Sequence, residues 1–323
     1  MNKKNTKENK KTRHAFLFKI TSRCNDFCNF CIENEFIEAK RLDLSFEEFR
    51  KNYFYLIKEI KPDYVILTGG EPTLHPELFK MLDLVKKRGD AFRVITNLIN
   101  FNDHVYLDKL ATFYKNFKTK KQELASCVIG SINDLPRTDS NADLRIKGLI
   151  AALKIGLPVM ITIVLYQKNI KDLPLIVARL KKIFRRYSPG KTMQIELRFI
   201  YIEGTREKLL NKSIPRKFKV LIDSVEESLG LLNSKGIRVS LWNFPLCYLK
   251  NPLCIANSGI TLKMERHFIK VNKDLQLKNV ITRNWNEYLK PHEECKKCTL
   301  NSICSGIDKD YFIKFNYPGL RTL

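Results

Sequence analysis

The chain has 323 residues and a formal net charge of +24 at pH 7, because 58 lysine and arginine residues outweigh 34 acidic residues. Hydrophobic residues make up 44% and aromatic residues 11% of the sequence, enough for a packed core, which excludes a generally disordered protein. The positive charge favours an anionic partner such as nucleic acid, a membrane surface or an acidic peptide. The alternative is a lysine-rich composition spread over solvated faces, which the dispersed lysines and the lack of a long arginine-rich stripe favour.

Residues 1–14 carry six basic residues and one glutamate, and no signal-peptide pattern follows them. We expect a disordered basic tail here. The most apolar stretch, residues 148–166, contains Lys154 and Pro158, which favours a helix end, a turn and a strand over a membrane span. We therefore expect a soluble cytoplasmic protein, in which clustered cysteines more often hold metal than form disulfides.

After the tail, short apolar runs typical of buried strands alternate with longer helical patterns. Strands are predicted at 16–20, 64–67, 92–95, 127–132, 159–165 and 194–200. A helix is predicted after each of them, in the same order at 46–60, 76–87, 103–117, 142–155, 171–186 and 216–234, and Ser45 is the predicted N-cap of the first. Six such units predict an α/β fold with a parallel sheet wrapped by helices. Parallel strands are buried on both faces, which accounts for the unbroken apolar runs.

The pattern changes near Gly236, where strands become short and cysteines dominate. Residues 260–271 show partial alternation, which suggests a hairpin. The sequence therefore predicts a core domain over 15–235 and a small appended domain over 236–323.

Cys24, Cys28 and Cys31 follow the first strand with the spacing Cys-x3-Cys-x2-Cys. A 4Fe-4S cube normally takes four cysteines, so three would leave one iron open to a small molecule. A structural zinc site needs a fourth ligand nearby, whereas the flanking histidines are His14, before the strand, and the distant His75. The end of a barrel strand is also where α/β barrels place active sites. The spacing favours iron–sulfur, with zinc as the alternative.

Several motifs in this order resemble the radical S-adenosylmethionine (SAM) superfamily over about residues 15–210. Phe30 occupies the aromatic position before the third cysteine, and Asn97 closes the third strand, as in many members. The family's GGE motif is matched after the second strand by Gly69, Gly70, Glu71 and Pro72. Residues 202–207 resemble an adenine-flanking pattern more weakly. The resemblance implies a partial (β/α)6 TIM-like barrel.

The resemblance also implies the cofactors, a SAM-binding 4Fe-4S cluster and S-adenosylmethionine. Phe30 would pack beside the adenine, and the Gly69–Gly70 backbone, with Glu71, would receive the SAM ammonium. Ser131 and Arg145 would hold the SAM carboxylate and ribose. Electron transfer into the sulfonium would release methionine and a 5′-deoxyadenosyl radical, which abstracts hydrogen from a substrate. A flavodoxin or ferredoxin is the implied reductant.

A second cysteine group, Cys295, Cys298 and Cys304, resembles the C-terminal SPASM or shorter twitch domains of these enzymes. The resemblance implies a second, auxiliary 4Fe-4S cluster with a fourth ligand from upstream. Cys247 is the first choice and Cys254 the runner-up. A zinc ribbon completed by His292 or Cys247 is the alternative, and Cys127, inside a strand, is predicted to be plain core.

Enzymes with such C-terminal domains include many that crosslink, epimerise or oxidise ribosomally made peptides. We expect a peptide substrate first, since a net charge of +24 suits an acidic precursor. A small-molecule or cofactor-building enzyme is the second expectation and nucleic-acid modification the least favoured. No general acid or base is assigned, and His75 and His104 are taken as core or surface histidines.

Overall fold

The computed structural model describes residues 13–28, 30–31, 43–136, 139–199, 215, 217–242, 244–251, 264–269, 280–282, 293–301, 304 and 306. Its strands are β1 (Arg13–Thr21), β2 (Tyr64–Gly69), β3 (Phe92–Thr96), β4 (Cys127–Ser131), β5 (Val159–Leu165), β6 (Met193–Phe199), β7 (Ile237–Trp242), β8 (Met264–Ile269) and β9 (Val280–Thr282). Its α-helices are α1 (Phe46–Glu59), α2 (Leu78–Arg88), α3 (His104–Phe113), α4 (Lys120–Ala125), α5 (Ala142–Lys154), α6 (Leu173–Tyr187), α7 (Phe218–Leu232) and α8 (Glu293–Lys297).

The strands form one sheet in the order β7-β6-β5-β4-β3-β2-β1-β8-β9, in which every neighbouring pair is parallel except β8 and β9. At least one helix follows each of the first six strands, so the six predicted units and the α/β fold class are confirmed. The architecture is a partial TIM-like barrel. It gathers the carboxyl ends of the strands at one edge, where α/β barrels carry their sites.

Two predictions at the margins of the core need correction. The predicted tail ends two residues too late, because Arg13 and His14 belong to β1, and the His14 backbone N–H donates to the Asp63 carboxylate at 3.1 Å. The predicted hairpin within 260–271 is wrong. Only one strand of that range is described, β8, which pairs with β1 on one side and with β9 on the other.

The strand β7 lies beyond the predicted boundary at residue 235, yet it pairs in parallel with β6 and extends the same sheet. The division of the chain into a core and a C-terminal domain stays a prediction. None of the helices in the described ranges has the length and apolarity that crossing a bilayer requires.

Local sequence signals account for the first helix. Ser45 caps α1 by accepting a hydrogen bond from the Glu48 backbone N–H, and the Glu48 carboxylate accepts one from the Ser45 backbone N–H at 2.8 Å. This reciprocal pair satisfies two amides that would otherwise lack partners at the helix start. The predicted N-cap is confirmed.

The two faces of the sheet differ in what they bury. Val65 and Leu67 of β2 share a large core with Leu82 and Val85 of α2, which defines the outer face. The opposite, inner face has a much smaller apolar cluster, formed by Ala15, Tyr64, Ile66 and Ala91 with Leu17, Ile95 and Ala125 packed against it. The expectation that the strands are buried on both faces holds for β2, whose residues 64–67 are all buried. On β5, β6 and β7, however, the buried inner face includes the polar side chains of Thr162, Glu196 and Ser240.

Candidate active site

The three clustered cysteines lie in the loop that leaves the carboxyl end of β1. Cys24, Cys28 and Cys31 are each half-buried, and the Cys31 backbone N–H donates to the Cys28 carbonyl at 3.0 Å. We call residues 22–31 the cysteine loop. Its surroundings determine what the three thiols can hold.

Gly69 and Gly70 are needed because the cysteine loop begins directly against them. A Cβ on Gly69 would lie 2.2 Å from the Thr21 carbonyl oxygen, and a Cβ on Gly70 would lie 2.3 Å from that of Arg23. The close approach allows a backbone hydrogen bond, in which the Gly70 N–H donates to the Thr21 carbonyl at 2.8 Å. The structure thus explains the glycines by backbone packing, and their predicted approach to a ligand stays a prediction.

Glu71 joins the ends of β2 and β3. Its Oε1 accepts from the Thr73 and Thr96 hydroxyls at 2.6 and 2.7 Å, and its Oε2 accepts from the Asn97 N–H at 2.7 Å. The side chain is 1% exposed, and burial raises the pKa of Glu71 against the opposing effect of these bonds. Oε2 keeps one acceptor position, so the contact expected with the SAM ammonium stays a prediction. Pro72 opens the short 3₁₀ turn Pro72–Leu74 behind it.

Asn97 connects the cysteine loop to the end of β3. Its Nδ2 donates to Asn25 Oδ1 at 2.8 Å, and its Oδ1 accepts from the Ile99 N–H at 3.0 Å. Asn25 in turn donates to Asn100 Oδ1 at 3.1 Å. The predicted position of Asn97 at the site is supported by this bridge, and Asn25 is a member of the site that the sequence analysis missed.

Arg145 of α5 forms a buried ion pair with Asp26, inside the cysteine loop. Arg145 Nε donates to Asp26 Oδ2 at 3.0 Å, Nη2 donates to the same oxygen, and Nη1 donates to Asp139 Oδ2 at 2.5 Å. Nη2 also lies 4.0 Å from Cys28 Sγ. We expected Arg145 to pair with the SAM carboxylate. In the structure two protein carboxylates pair with it, as a guanidinium at 2% exposure requires, and its contact with the SAM carboxylate stays a prediction.

Asp26 itself was not identified from the sequence. Burial raises its pKa, but the Arg145 charge and the bonds from Asn141 and Arg145 outweigh this and keep the pKa below its ordinary value. Asp26 is therefore ionised at neutral pH. The only sequence signal was an acidic residue between two motif cysteines, and its partner lies 119 positions away.

The thiols of Cys24 and Cys28 are neutral when no metal is bound. Burial raises the pKa of Cys24 to about 12, and burial and the Asp26 charge raise that of Cys28 still further. Because thiolates are the ligands, cluster binding must displace these protons.

Three thiols with no fourth cysteine in the loop fit an iron–sulfur cluster, in which each thiolate binds a different iron. Among the described residues, no group of three His, Cys, Asp or Glu side chains is arranged to hold a single ion. His75 is also occupied elsewhere, with Nε2 2.9 Å from the Leu44 carbonyl and Nδ1 accepting from the Glu77 N–H at 3.0 Å.

Phe30 and Ser131 stand at the same edge of the sheet. The Phe30 ring lies 4.6 Å from that of Tyr166, whose hydroxyl donates to Asp134. Ser131 ends β4 on the inner face, because the neighbouring Gly130 faces the Leu98 side chain in the outer core. The structure therefore places Phe30 in the cysteine loop and Ser131 at the carboxyl end of β4, and their SAM contacts stay predictions. Tyr166 and Asp134 stand beside Phe30, and the sequence analysis missed both.

Cys304 of the second cysteine group lies beside the segment that carries its expected fourth ligand. Cys304 Sγ accepts from the Leu246 and Gly306 backbone N–H groups at 3.4 and 3.3 Å. Leu246 directly precedes Cys247, so the two segments meet although 58 positions separate Leu246 from Cys304. Cys295 lies in α8 and Cys298 follows it. The runner-up Cys254, His292 and the pattern at 202–207 lie outside the described residues.

The sequence matches one family profile and two short stretches of curated proteins. Residues 18–180 match the radical SAM superfamily. A 7,8-dihydro-6-hydroxymethylpterin dimethyltransferase of Methanocaldococcus jannaschii is 33% identical over 105 residues, covering 30% of this chain and 21% of that protein. A tungsten-containing aldehyde ferredoxin oxidoreductase cofactor-modifying protein of Pyrococcus furiosus is 37% identical over 79 residues, covering 24% and 22%. The matched stretch spans about a fifth of each relative's length.

Solved structures resemble the chain over nearly all of its length. Streptococcus suis SuiB bound to precursor peptide SuiA has a TM-score of 0.59 at 13% identity, covering 97% of this chain and 75% of SuiB. The protein anSMEcpe with bound AdoMet has a TM-score of 0.60 at 16% identity, covering 96% and 92%. Methylornithine synthase has a TM-score of 0.51 at 17% identity, covering 85% and 77%. At such identities these structures establish the fold alone.

Proposed function

Because the chain belongs to the radical SAM superfamily, we propose that this enzyme cleaves SAM reductively and abstracts hydrogen from a ribosomally made peptide. The observation that carries the proposal is the cysteine loop, whose three cysteines leave β1 against the Gly69–Gly70 turn. When bound, the cluster and SAM supply one electron and a 5′-deoxyadenosyl radical. The chain's own residues hold these groups, orient the substrate and exclude water.

The residues of the site have distinct tasks in this proposal. Cys24, Cys28 and Cys31 hold three irons, and the Asp26–Arg145 pair fixes the loop between the first two cysteines. Phe30 flanks the adenine with Tyr166 behind it, and this ring pair covers the cofactor from one side. Two carboxylates, Asp26 and Asp139, already accept hydrogen bonds from the Arg145 guanidinium. Arg145 can therefore bind the SAM carboxylate only through its remaining N–H groups.

The hydrogen bonds at Cys304 support an auxiliary cluster held by Cys247, Cys295, Cys298 and Cys304. Backbone N–H groups donating to a sulfur are typical of iron–sulfur sites, where they stabilise the negative charge of a thiolate. We propose that this second cluster serves substrate turnover, because its cysteines lie outside the segment that matches the superfamily.

A peptide substrate is supported by the net charge and by the peptides bound in two similar structures. The net charge of +24 would steer an acidic peptide toward the enzyme. The similar structures include SuiB with its precursor peptide and anSMEcpe with a Cp18Cys peptide. We propose that the enzyme works in the cytoplasm with a flavodoxin or ferredoxin as reductant.

A small-molecule substrate is the second candidate. It is supported by the pterin dimethyltransferase and methylornithine synthase among the similar proteins, which act on small molecules by name. The two candidates differ in the size of the salt dependence, because charge steering acts more strongly on a peptide with several charges than on a small metabolite. Salt screens this steering over about 8–10 Å at physiological ionic strength.

The test uses the anaerobically reconstituted enzyme, SAM, a reductant and synthetic peptides encoded by short reading frames beside the gene. We expect one peptide to gain a mass change and to bind more weakly as salt rises. Removing residues 1–12, which carry five lysines and one glutamate, should slow its association and leave SAM cleavage unchanged. If no such peptide binds at low salt, the small-molecule candidate replaces the peptide.

A further inference from the structure

The inner face of β6 carries charged side chains opposite an apolar outer face. Ile195 and Leu197 pack in the large core under the helices. Glu196 and Arg198 alternate with them and therefore face inward, because successive side chains of a strand lie on opposite faces. A charged pair inside a barrel is expensive to bury, and such pairs concentrate where a ligand is bound.

Glu196 belongs to a polar row that begins at the SAM site. The sheet register pairs Ser131 of β4 with Thr162 of β5, Thr162 with Glu196, and Glu196 with Ser240 of β7. The Thr162 hydroxyl lies 3.4 Å from Glu196 Oε1, which confirms that the two side chains share a face. The row thus leads from a predicted SAM contact across the inner face to the far side of the barrel.

Arg198 stands beside this row with its guanidinium held in place. Its Nε donates to Glu196 Oε1 at 3.0 Å, and Nη2 donates to the same oxygen. The guanidinium carbon lies 5.8 Å from the centre of the Trp242 ring. The Arg198 side chain is 34% exposed, whereas that of Glu196 is 7% exposed. Glu196 therefore anchors an arginine whose side chain remains partly exposed.

We propose that Arg198 binds a carboxylate of the substrate, with Glu196 and Trp242 fixing the guanidinium. This inference rests on the proposed function, since it places the substrate in the barrel next to the SAM site. A guanidinium matches a carboxylate in shape and charge, and it loses less entropy on binding when it is already oriented. The geometry selects a carboxylate over a cation, because the anchoring carboxylate is buried whereas the arginine side chain is partly exposed.

Such a carboxylate could belong to an acidic side chain of a peptide or to a small metabolite. The test therefore uses two carboxylate probes and their neutral amides at constant ionic strength. The probes are a capped Gly-Ala-Glu-Ala-Gly peptide with its Gln counterpart, and glutarate with glutaramide. The holoenzyme with SAM bound is treated with phenylglyoxal, which labels accessible arginines, and the labelling of each arginine is followed by mass spectrometry.

We expect the carboxylate probe, at about ten times its dissociation constant, to slow the labelling of Arg198 about tenfold, because only the unoccupied enzyme is labelled. The neutral amides should not slow it. Arg238 is the matched control, because it lies exposed on the inner face of β7 in register with Gln194 and has no part in the proposed site. Protection at a lower concentration by the peptide than by glutarate assigns the carboxylate to a peptide, and the reverse assigns it to a metabolite.

Unchanged labelling of Arg198 with both carboxylate probes overturns the inference, as does equal protection of Arg238. The experiment uses the wild-type chain, so it does not depend on whether a variant folds. As a second measurement, Arg198→Gln should weaken probe binding about tenfold while Arg238→Gln does not. Formation of 5′-deoxyadenosine is measured in parallel, so that loss of the subsite and failure of the proposed function are told apart.

Discussion

Asp26 and Arg145 lie 119 positions apart in the sequence and form a buried ion pair beside Cys28. The pair joins the loop after β1 to the helix after β4. Its partners are 4% and 2% exposed, so neither charge can turn to water when the other is removed. The cysteine loop is therefore held from the far side of the barrel as well as by the β2 turn.

Removing one partner of this pair should be costly. Arg145→Gln leaves two carboxylates, Asp26 and Asp139, without their cation, and we expect a loss of about 3–5 kcal/mol in the free energy of unfolding. Arg179→Gln is the control, since its pair with Asp143 is exposed and is expected to contribute less than about 1 kcal/mol. Urea unfolding of the apoproteins measures both. Equal losses of unfolding free energy in the two variants would contradict the stabilising role of the buried Asp26–Arg145 pair.

Gly69 should tolerate no side chain. Its φ of +144° is unfavourable for other residues, and a Cβ would lie 2.2 Å from the Thr21 carbonyl oxygen. We expect Gly69→Ala to destabilise the fold and to lower iron incorporation at the cysteine loop. Gly230→Ala in α7, where a Cβ meets nothing within 4 Å, should be neutral or stabilising by up to about 1 kcal/mol. Iron content and thermal unfolding compare the two, and full iron loading in Gly69→Ala would contradict the packing argument.

His75 should make the fold sensitive to acid. Burial lowers the pKa of His75, and its Nδ1 accepts a hydrogen bond that protonation would remove. The unfolded chain then binds more protons than the folded one, so stability falls as the pH drops below about 6.5. Urea unfolding between about pH 7.5 and about pH 5.5 should show a smaller pH effect in His75→Gln than in the wild type. The exposed His104→Gln serves as control, and an identical slope in all three proteins would refute the assignment.

The repeating units of the barrel could be predicted because the signals for each strand and helix lie within its own segment of sequence. Apolar runs of strand length and a cap such as Ser45 need no information from distant residues. The polar residues of the inner face were not predicted, for a different reason. In β6 the alternation of Glu196 and Arg198 with apolar neighbours was visible, but the assumption that parallel strands are buried on both faces concealed it.

The parts of the site that were missed depend on distant partners. Cysteine spacing identified the loop, yet the roles of Asn25 and Asp26 are set by Asn97 and Arg145, which only the fold brings near. The same is true of β8, whose pairing with the first strand no local pattern indicates. Cysteine spacing predicts which residues could bind a cluster. Tertiary contacts decide which side chains hold the cysteine loop in place.

The C-terminal cysteines should hold a cluster separate from the first. We expect the reconstituted wild type to contain about eight irons and a variant with Ala at Cys295, Cys298 and Cys304 to contain about four. That variant should still cleave SAM without forming product. Cys127→Ala is the control, because Cys127 lies within β4 and away from both groups. Zinc in place of iron, or equal iron in the triple variant and the wild type, would contradict the auxiliary cluster.

The most direct test of the account is SAM cleavage by a variant with Ala at Cys24, Cys28 and Cys31. Under dithionite, the wild type should form 5′-deoxyadenosine and the triple variant should form none, while keeping about four irons in its second cluster. The retained irons would show that the variant is folded, so that the loss belongs to the cysteine loop. Formation of 5′-deoxyadenosine by the triple variant would contradict the assignment of this loop as the cluster site.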